Sequence, residues 1–161
     1  RELDGDGVVF TDGTREQIDC IIYSTGYKVT FPFLKPEVVA VKNNDLPLFQ
    51  RVFHPHYRDL FFLGLLQPLG AIMPIAEAQS HWISKYLLGE CTLPSQEEMK
   101  RHIQQEREAM RKRYGDAPRH TMQVDFAPYM RGIQREMKQG MKRPGATPLV
   151  QRATQAVEVG S

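Results

Sequence analysis

The run Ile18-Asp19-Cys20-Ile21-Ile22-Tyr23-Ser24-Thr25 constrains this chain more than any other feature. It is β-branched and apolar almost throughout, the pattern of a strand covered on both faces. It ends at Gly26, and a central strand that feeds a glycine is where α/β proteins place a ligand. Just upstream, Gly7-Val8-Val9-Phe10-Thr11 predicts a short strand, and Asp12-Gly13 is a two-residue turn signal because such turns favour positive φ. The run is therefore expected to be the return limb of a hairpin. A strand of this kind needs sheet neighbours, and the rest of the 161 residues supplies few. On its own the chain would expose apolar surface, so marginal folding or self-association into a homo-oligomer is expected.

Residues 28–60 read as loop, because Pro32, Pro36, Pro47 and Pro55 break any long helix. Phe31, Phe33, Leu34, Leu48, Phe49, Val52 and Phe53 are its expected packing residues. A second buried strand, Leu60–Leu63, ends at Gly64, and Leu65–Ala71 follows as a bent loop. A helix is predicted from Met73 or Pro74, with Ile72, Ile75, Ala76, Gln79, Trp82, Ile83, Tyr86 and Leu87 on one buried face and Gly89 at its end. Ser95 and Glu98 have capping-box spacing for a second helix, about Gln96 to Tyr114. Its apolar stripe (Met99, Ile103, Met110, Tyr114) is narrow, and Glu97–Arg101 and Glu108–Lys112 support it at i,i+4. A third helix, about Pro128 to Gln139, turns Tyr129, Met130, Ile133 and Met137 one way and is expected to stop at Gly140. From Met141 on the sequence reads as a tail.

Composition excludes several classes. With 41% hydrophobic and 25% charged residues the chain is that of a globular protein. No window approaches the roughly 18 apolar residues of a membrane span. No secretory leader is visible, and two cysteines are too few for a disulfide scaffold, so a cytoplasmic setting is expected. The net charge of +2 is unevenly placed: residues 1–94 carry a net −3 and residues 95–143 a net +5. The basic stretch Arg107–Arg119 is nevertheless interrupted by Glu108 and Asp116, which favours a solvated helix face over a nucleic-acid reader.

Two segments are candidate ligand walls. Ser24-Thr25-Gly26-Tyr27 lets a ligand approach the backbone, though from pattern alone a plain turn glycine after a strand is the favoured reading. Gly64–Gly70, leading into the Pro74 helix, offers a dipole end, and here too a connecting loop is the plainer reading. Gly5-Asp6-Gly7 starts like a phosphate-binding fingerprint, but Phe10 stands at the third glycine and a strand follows. His54-Pro55-His56 lacks the partners of a metal shell, so no metal is expected. His81 reads as a packing or rim residue and Cys20 as an inert core thiol. No nucleophile with its base is visible.

Taken together, Asp12-Gly13-Thr14, Ile18 to Tyr27 and Phe31-Pro32-Phe33-Leu34 closely resemble flavin-containing monooxygenases, whose (A/S)TGY motif is matched by Ser24 to Tyr27. Leu48 to Pro55, Gly64 to Trp82 and His120 to Met130 are similar to later segments of that family, so the resemblance runs over about residues 3–140. It is a resemblance to the C-terminal portion: the two dinucleotide glycine loops and the F-x-G-x-x-x-H signature have no counterpart.

The resemblance implies an α/β fold, the C-terminal part of a two-dinucleotide-binding-domain flavoprotein. Residues 1–26 would end an NADPH-domain hairpin and return to the FAD domain, residues 27–94 would belong to the FAD domain, 95–140 would be a helical cover and 141–161 a flexible tail. It implies FAD and NADPH as cofactors, both requiring segments not found here. It also implies O2 and a small-molecule substrate with a soft nucleophile, an amine nitrogen or a sulfur, oxygenated through a C4a-hydroperoxyflavin. Thr25 and Gly26 would pass close to FAD, and Gln67, Pro68, Leu69, Gly70 and Ala71 would line it, as cofactor walls with no catalytic acid, base or nucleophile among them. The isolated chain is expected to be inactive. Two other readings stay open: a Baeyer–Villiger or N-hydroxylating monooxygenase or a disulfide reductase, and a non-enzymatic interaction module contacting its partner through the basic helix.

Overall fold

A computed structural model describes residues 2–26, 28–115 and 121–145. Tyr27, residues 116–120 of the basic stretch and the family-like segment, and the tail from 146 onward lie outside the described residues. So does the Tyr114 side chain.

The hairpin forms, one strand larger than expected and with a different return limb. β1 (Glu2–Asp4), β2 (Gly7–Val9) and β3 (Arg15–Gln17) make an antiparallel sheet in the order β1-β2-β3, with Val8 opposite Glu16. The Asp12-Gly13 turn is fixed locally: the Asp12 carboxylate accepts from the Thr14 N–H (3.0 Å) and hydroxyl (2.7 Å). Those bonds hold the Asp12 carboxyl below the usual carboxylate range. Ile18 donates a last bond to the Asp6 carbonyl (3.0 Å), and the ladder stops there. Ile18–Thr25 is not a strand. Ile22 and Tyr23 are 85% and 75% exposed, and Cys20 is exposed rather than a core thiol. The cause is a missing partner: among the described residues no strand pairs with this run, and an apolar strand without neighbours has neither ladder bonds nor covered faces.

The main core is built around Trp82. Residues 49–53 turn back on themselves, with Phe49 and Phe53 exchanging backbone bonds (2.8 and 3.1 Å) across Gln50 and Arg51. Both central residues are left-handed, φ 51° and 58°, in a turn that ordinarily selects Asn-Gly. Both are also buried, so packing offsets the local strain. The predicted strand Leu60–Leu63 is reduced to a single bridge, Phe61 to Phe53, flanked by Phe62 N–H to the Val52 carbonyl (2.8 Å). Leu63 is exposed, as is Phe33, which sequence placed among the packing residues. Phe53 meets Trp82 and Tyr86 edge-on, at 4.9 and 5.4 Å between ring centroids. A smaller cluster, Val39, Leu46, Leu48 and Phe62, holds Phe31 and Leu34 against its flank.

β4 (Gln67–Leu69) leads to α1 (Met73–Leu87), which buries Ile75, Gln79, Trp82 and Tyr86; Ile72, expected on that face, is exposed. α2 (Gln96–Tyr114) carries both halves of the capping box, which keeps the Glu98 carboxyl low, and puts Met99 and Ile103 into the core. β5 (Gln123–Asp125) pairs in parallel with β4, Val124 opposite Pro68, and runs directly into α3 (Phe126–Gly140), two residues before the predicted start. As expected, Gly140 is the last residue of α3, though without the left-handed conformation of a glycine cap. It is helical, and it lets α3 press against Cys91 and Thr92, where a Cβ would lie 2.8 Å from the Thr92 carbonyl oxygen. Burial raises the Cys91 thiol above its ordinary range, partly offset by the Trp82 indole.

Candidate functional site

Within the bent loop that sequence suggested, Gln67–Leu69 is a short strand, and the chain bends at Gly70. The Gln67 N–H donates to the Met122 carbonyl (2.7 Å), and the β4–β5 pairing fixes the direction in which the chain enters α1. Gly70 sits at φ 129°, where a side chain is strained whatever the space around it. Ile72 stands at the N-cap of α1 and offers no side-chain cap, the first turn has no acidic residue, and Pro74 has no N–H. The positive end of the helix is thus left without a compensating group of its own. Around it, Leu69, Ile72 and Met73 expose apolar surface, Met73 to 75%. An apolar rim beside an uncapped helix end fits a flat, electron-rich ring system with a polar edge.

Thr25 and Gly26 lie elsewhere. They share a cavity of about 350 Å³ with Lys28, Val29, Val41, Asn43 and Asn44. Asn43 and Asn44 are both left-handed (φ 53° and 60°), and the Asn44 side chain accepts from the Val29 N–H at 2.9 Å. Gly26 has φ 83° with open space where a Cβ would point. That openness suits close approach of a ligand to the backbone. None of Gln67–Ala71 lines this cavity, so the structure does not gather the two candidate walls in one pocket.

A second cavity, about 570 Å³, opens between residues 36–40, residues 46–48 and the His54, His56 and Tyr57 loop. The His54-Pro55-His56 motif lies here. The His54 Nδ1 accepts from the backbone N–H groups of His56 and Tyr57 (3.1 Å each), and Gln96 reaches the His56 Nδ1. Burial first, and His56 second, lower the His54 pKa below the ordinary histidine value. No grouping among the described residues could hold a metal ion.

Sequence reasoning missed a buried polar chain. Gln79, fully buried, accepts from the Gly64 N–H (2.8 Å) and donates to the Tyr129 hydroxyl (2.7 Å). Tyr129 in turn donates to the Gln50 carbonyl (2.6 Å). The Gln50 amide then meets His102 (3.1 Å), whose other nitrogen faces Glu106 (3.7 Å). Burial raises the Tyr129 hydroxyl well above its usual range and raises Glu106, which Arg51 and His102 partly hold down. The available signal was one glutamine inside the apolar face of α1. Two basic residues of α2 pair with acidic residues of other segments, Arg107 with Asp45 (2.6 Å) and Arg113 with Asp125 (2.5 Å). Among the described residues no helix is long and apolar enough to cross a membrane.

Comparison with known proteins decides the family. Residues 1–148 match the family model of flavin-binding monooxygenase-like proteins. The chain belongs to this family. It is 46% identical to mouse flavin-containing monooxygenase 5 over 136 residues, 83% of this chain and 25% of that protein. Rhesus macaque dimethylaniline monooxygenase [N-oxide-forming] 2 is 38% identical over 133 residues, 81% of this chain and 25% of that protein. The structure of S-allyl-L-cysteine S-oxygenase from Allium sativum superposes with a TM-score of 0.68 at 31% identity, covering 83% of this chain and 31% of that one. This chain therefore spans about a quarter of the length of the curated relatives it matches. The mixed α/β elements agree with part of a flavoprotein of this family.

Proposed function

We propose that this chain is the C-terminal portion of an FAD- and NADPH-dependent monooxygenase that oxygenates soft nucleophiles, an amine nitrogen or a sulfur. The observation that carries the reading is the family match over residues 1–148, which runs through both candidate walls. The names of two relatives, one N-oxide-forming and one an S-oxygenase, support the substrate class. In this reading residues 1–26 close an NADPH domain, 27–94 belong to the FAD domain, and 95–140 cover it. The partners are O2 and a small-molecule substrate, in the cytoplasm, and the 161-residue chain alone is inactive.

Bound FAD would supply the redox chemistry and the activation of O2. This chain's residues do the holding. Gly26, open and left-handed, lets the cofactor pass against the backbone, with the Thr25 hydroxyl beside it. Gln67, Pro68, Leu69, Gly70 and Ala71 form the second wall, where the uncapped α1 terminus favours negative charge on the ligand. The exposed Leu69 and Met73 side chains exclude water once covered. None of these residues acts as a general acid, base or nucleophile.

The test is a chimera in which residues 3–140 replace the corresponding segment of mouse flavin-containing monooxygenase 5. Stoichiometric flavin and NADPH-dependent O2 consumption are expected. A soluble, monodisperse chimera with neither would refute the reading.

A further inference from the structure

The buried polar chain has a direction, and it ends at the second cofactor wall. At one end stands the Gln50 backbone carbonyl, which can only accept. Tyr129 donates its single proton there (2.6 Å), and burial keeps that proton on the hydroxyl. Tyr129 can then only accept from Gln79 (2.7 Å), so the Gln79 amide nitrogen is turned toward it. The Gln79 Oε1 is left to receive the Gly64 N–H (2.8 Å), which can only donate. Two backbone groups thus dictate the orientation of both side chains between them. Gln79 is fully buried, so solvent does not compete for either of its bonds.

Gly64 stands just before the wall, with little slack between them. The Leu66 N–H closes a tight turn onto the Gly64 carbonyl (3.0 Å), Leu66 is buried in the core, and the Met122 carbonyl holds the Gln67 N–H (2.7 Å). The chain enters β4 from this clamped glycine and leaves it at Gly70 for α1, the helix that carries Gln79. We propose that Gln79, oriented by Tyr129, is a positioning residue for the wall Gln67–Ala71: it sets where β4 lies against the N-terminus of α1, and thereby how firmly the wall holds FAD. The inference rests on the monooxygenase reading. Gln79 acts through Gly64 and touches no cofactor itself.

The test has an arm without flavin and an arm with it. In the 161-residue chain labelled with 15N-glycine, Gly64 and Gly70 report on the two ends of the segment. Tyr129→Phe and Gln79→Leu, kept folded by trimethylamine N-oxide, are each expected to move the Gly64 amide proton upfield, to speed its exchange about ten-fold, and to move the Gly70 signal. Gln79→Glu at about pH 6 should restore both signals, because a buried carboxyl stays protonated there and offers the same acceptor and donor. In the chimera, Tyr129→Phe and Gln79→Leu should raise the FAD dissociation constant about ten-fold and shift the flavin absorption bands. Gly140→Ala is the control: it perturbs the contact with Cys91 and Thr92, beyond the far end of α1, and should change none of these. A Gly70 signal or an FAD dissociation constant indifferent to both substitutions, no restoration by Gln79→Glu, or the same changes in Gly140→Ala would each overturn the proposal. A wild-type chimera without flavin would refute the monooxygenase reading instead, and the glycine signals would then decide whether Gln79 positions the segment.

Discussion

Tyr129→Phe tests whether the buried polar chain holds the core together. The substitution keeps the ring volume, so no cavity term enters. It removes the acceptor of the Gln79 amide (2.7 Å) and the donor to the Gln50 carbonyl (2.6 Å), and leaves both in the core. At about 1–3 kcal/mol for each stranded buried group, the expected loss is about 2–6 kcal/mol, or roughly 4–24 °C in Tm for a chain of this length. Gln79→Leu strands the Gly64 N–H (2.8 Å) and a Tyr129 lone pair, for a similar loss. The double variant strands only the Gly64 N–H and the Gln50 carbonyl. It should therefore be less destabilised than the sum of the single variants, by about 2 kcal/mol. Urea unfolding followed by Trp82, the one tryptophan and fully buried, reads all four proteins. Trimethylamine N-oxide in the buffer brings the weakest variant into range. Additivity within about 0.5 kcal/mol, at unchanged m-value, would refute the reasoning, because independent bonds would then explain everything.

Gly140→Ala should cost about 1–3 kcal/mol by overpacking, since the new Cβ meets the Cys91 sulfur and the Thr92 carbonyl oxygen; an unchanged urea midpoint would mean α3 can move away. The His54 pKa is lowered on folding, so its contribution is present above the unfolded histidine value and is lost as pH falls through the folded one. Wild-type stability should therefore fall more steeply from pH 7.5 to 5.5 than that of His54→Gln, and parallel profiles would contradict this. In the chimera, Gly26→Val places a branched residue at φ 83° on the expected cofactor path and should lower the flavin-to-protein absorbance ratio; a stoichiometric ratio would remove Gly26 from the site. Gln67→Ala should leave folding nearly intact but alter the flavin spectrum or the coupling of NADPH use to product, and no change in either would remove Gln67.

What the sequence made legible was governed by range. The capping box of Ser95 and Glu98 is decided within three residues and forms as read; the Asp12-Gly13 turn forms where expected, but as a longer loop closed by the Phe10–Thr14 bond in which only Gly13 is left-handed. The extent of α1 follows from Pro74 at its start and Gly89 beyond its end, again local signals. The Gln79–Tyr129 bond joins residues 50 apart, and only the folded chain brings them together. Gly140 ends α3 as read, but its second role was hidden for the same reason: its bare Cα serves a contact with Cys91, which no local rule anticipates.

Ile18–Thr25 carries the same lesson in a stronger form. Its pattern records burial on two faces, and among the described residues nothing covers either face. Pattern and structure agree if the run is a strand only beside strands contributed by other parts of a protein several times longer, as the relatives are. The candidate walls behave likewise. Thr25 and Gly26 stand at the end of that unpaired run, while Gln67–Ala71 are held by β5, so the first wall is free to take its place and the second is already fixed. Pairing the run with a sheet would anchor Thr25 and Gly26 as firmly as Gln67–Ala71, and in the proposed enzyme cofactor binding and completion of that sheet would then stabilise each other.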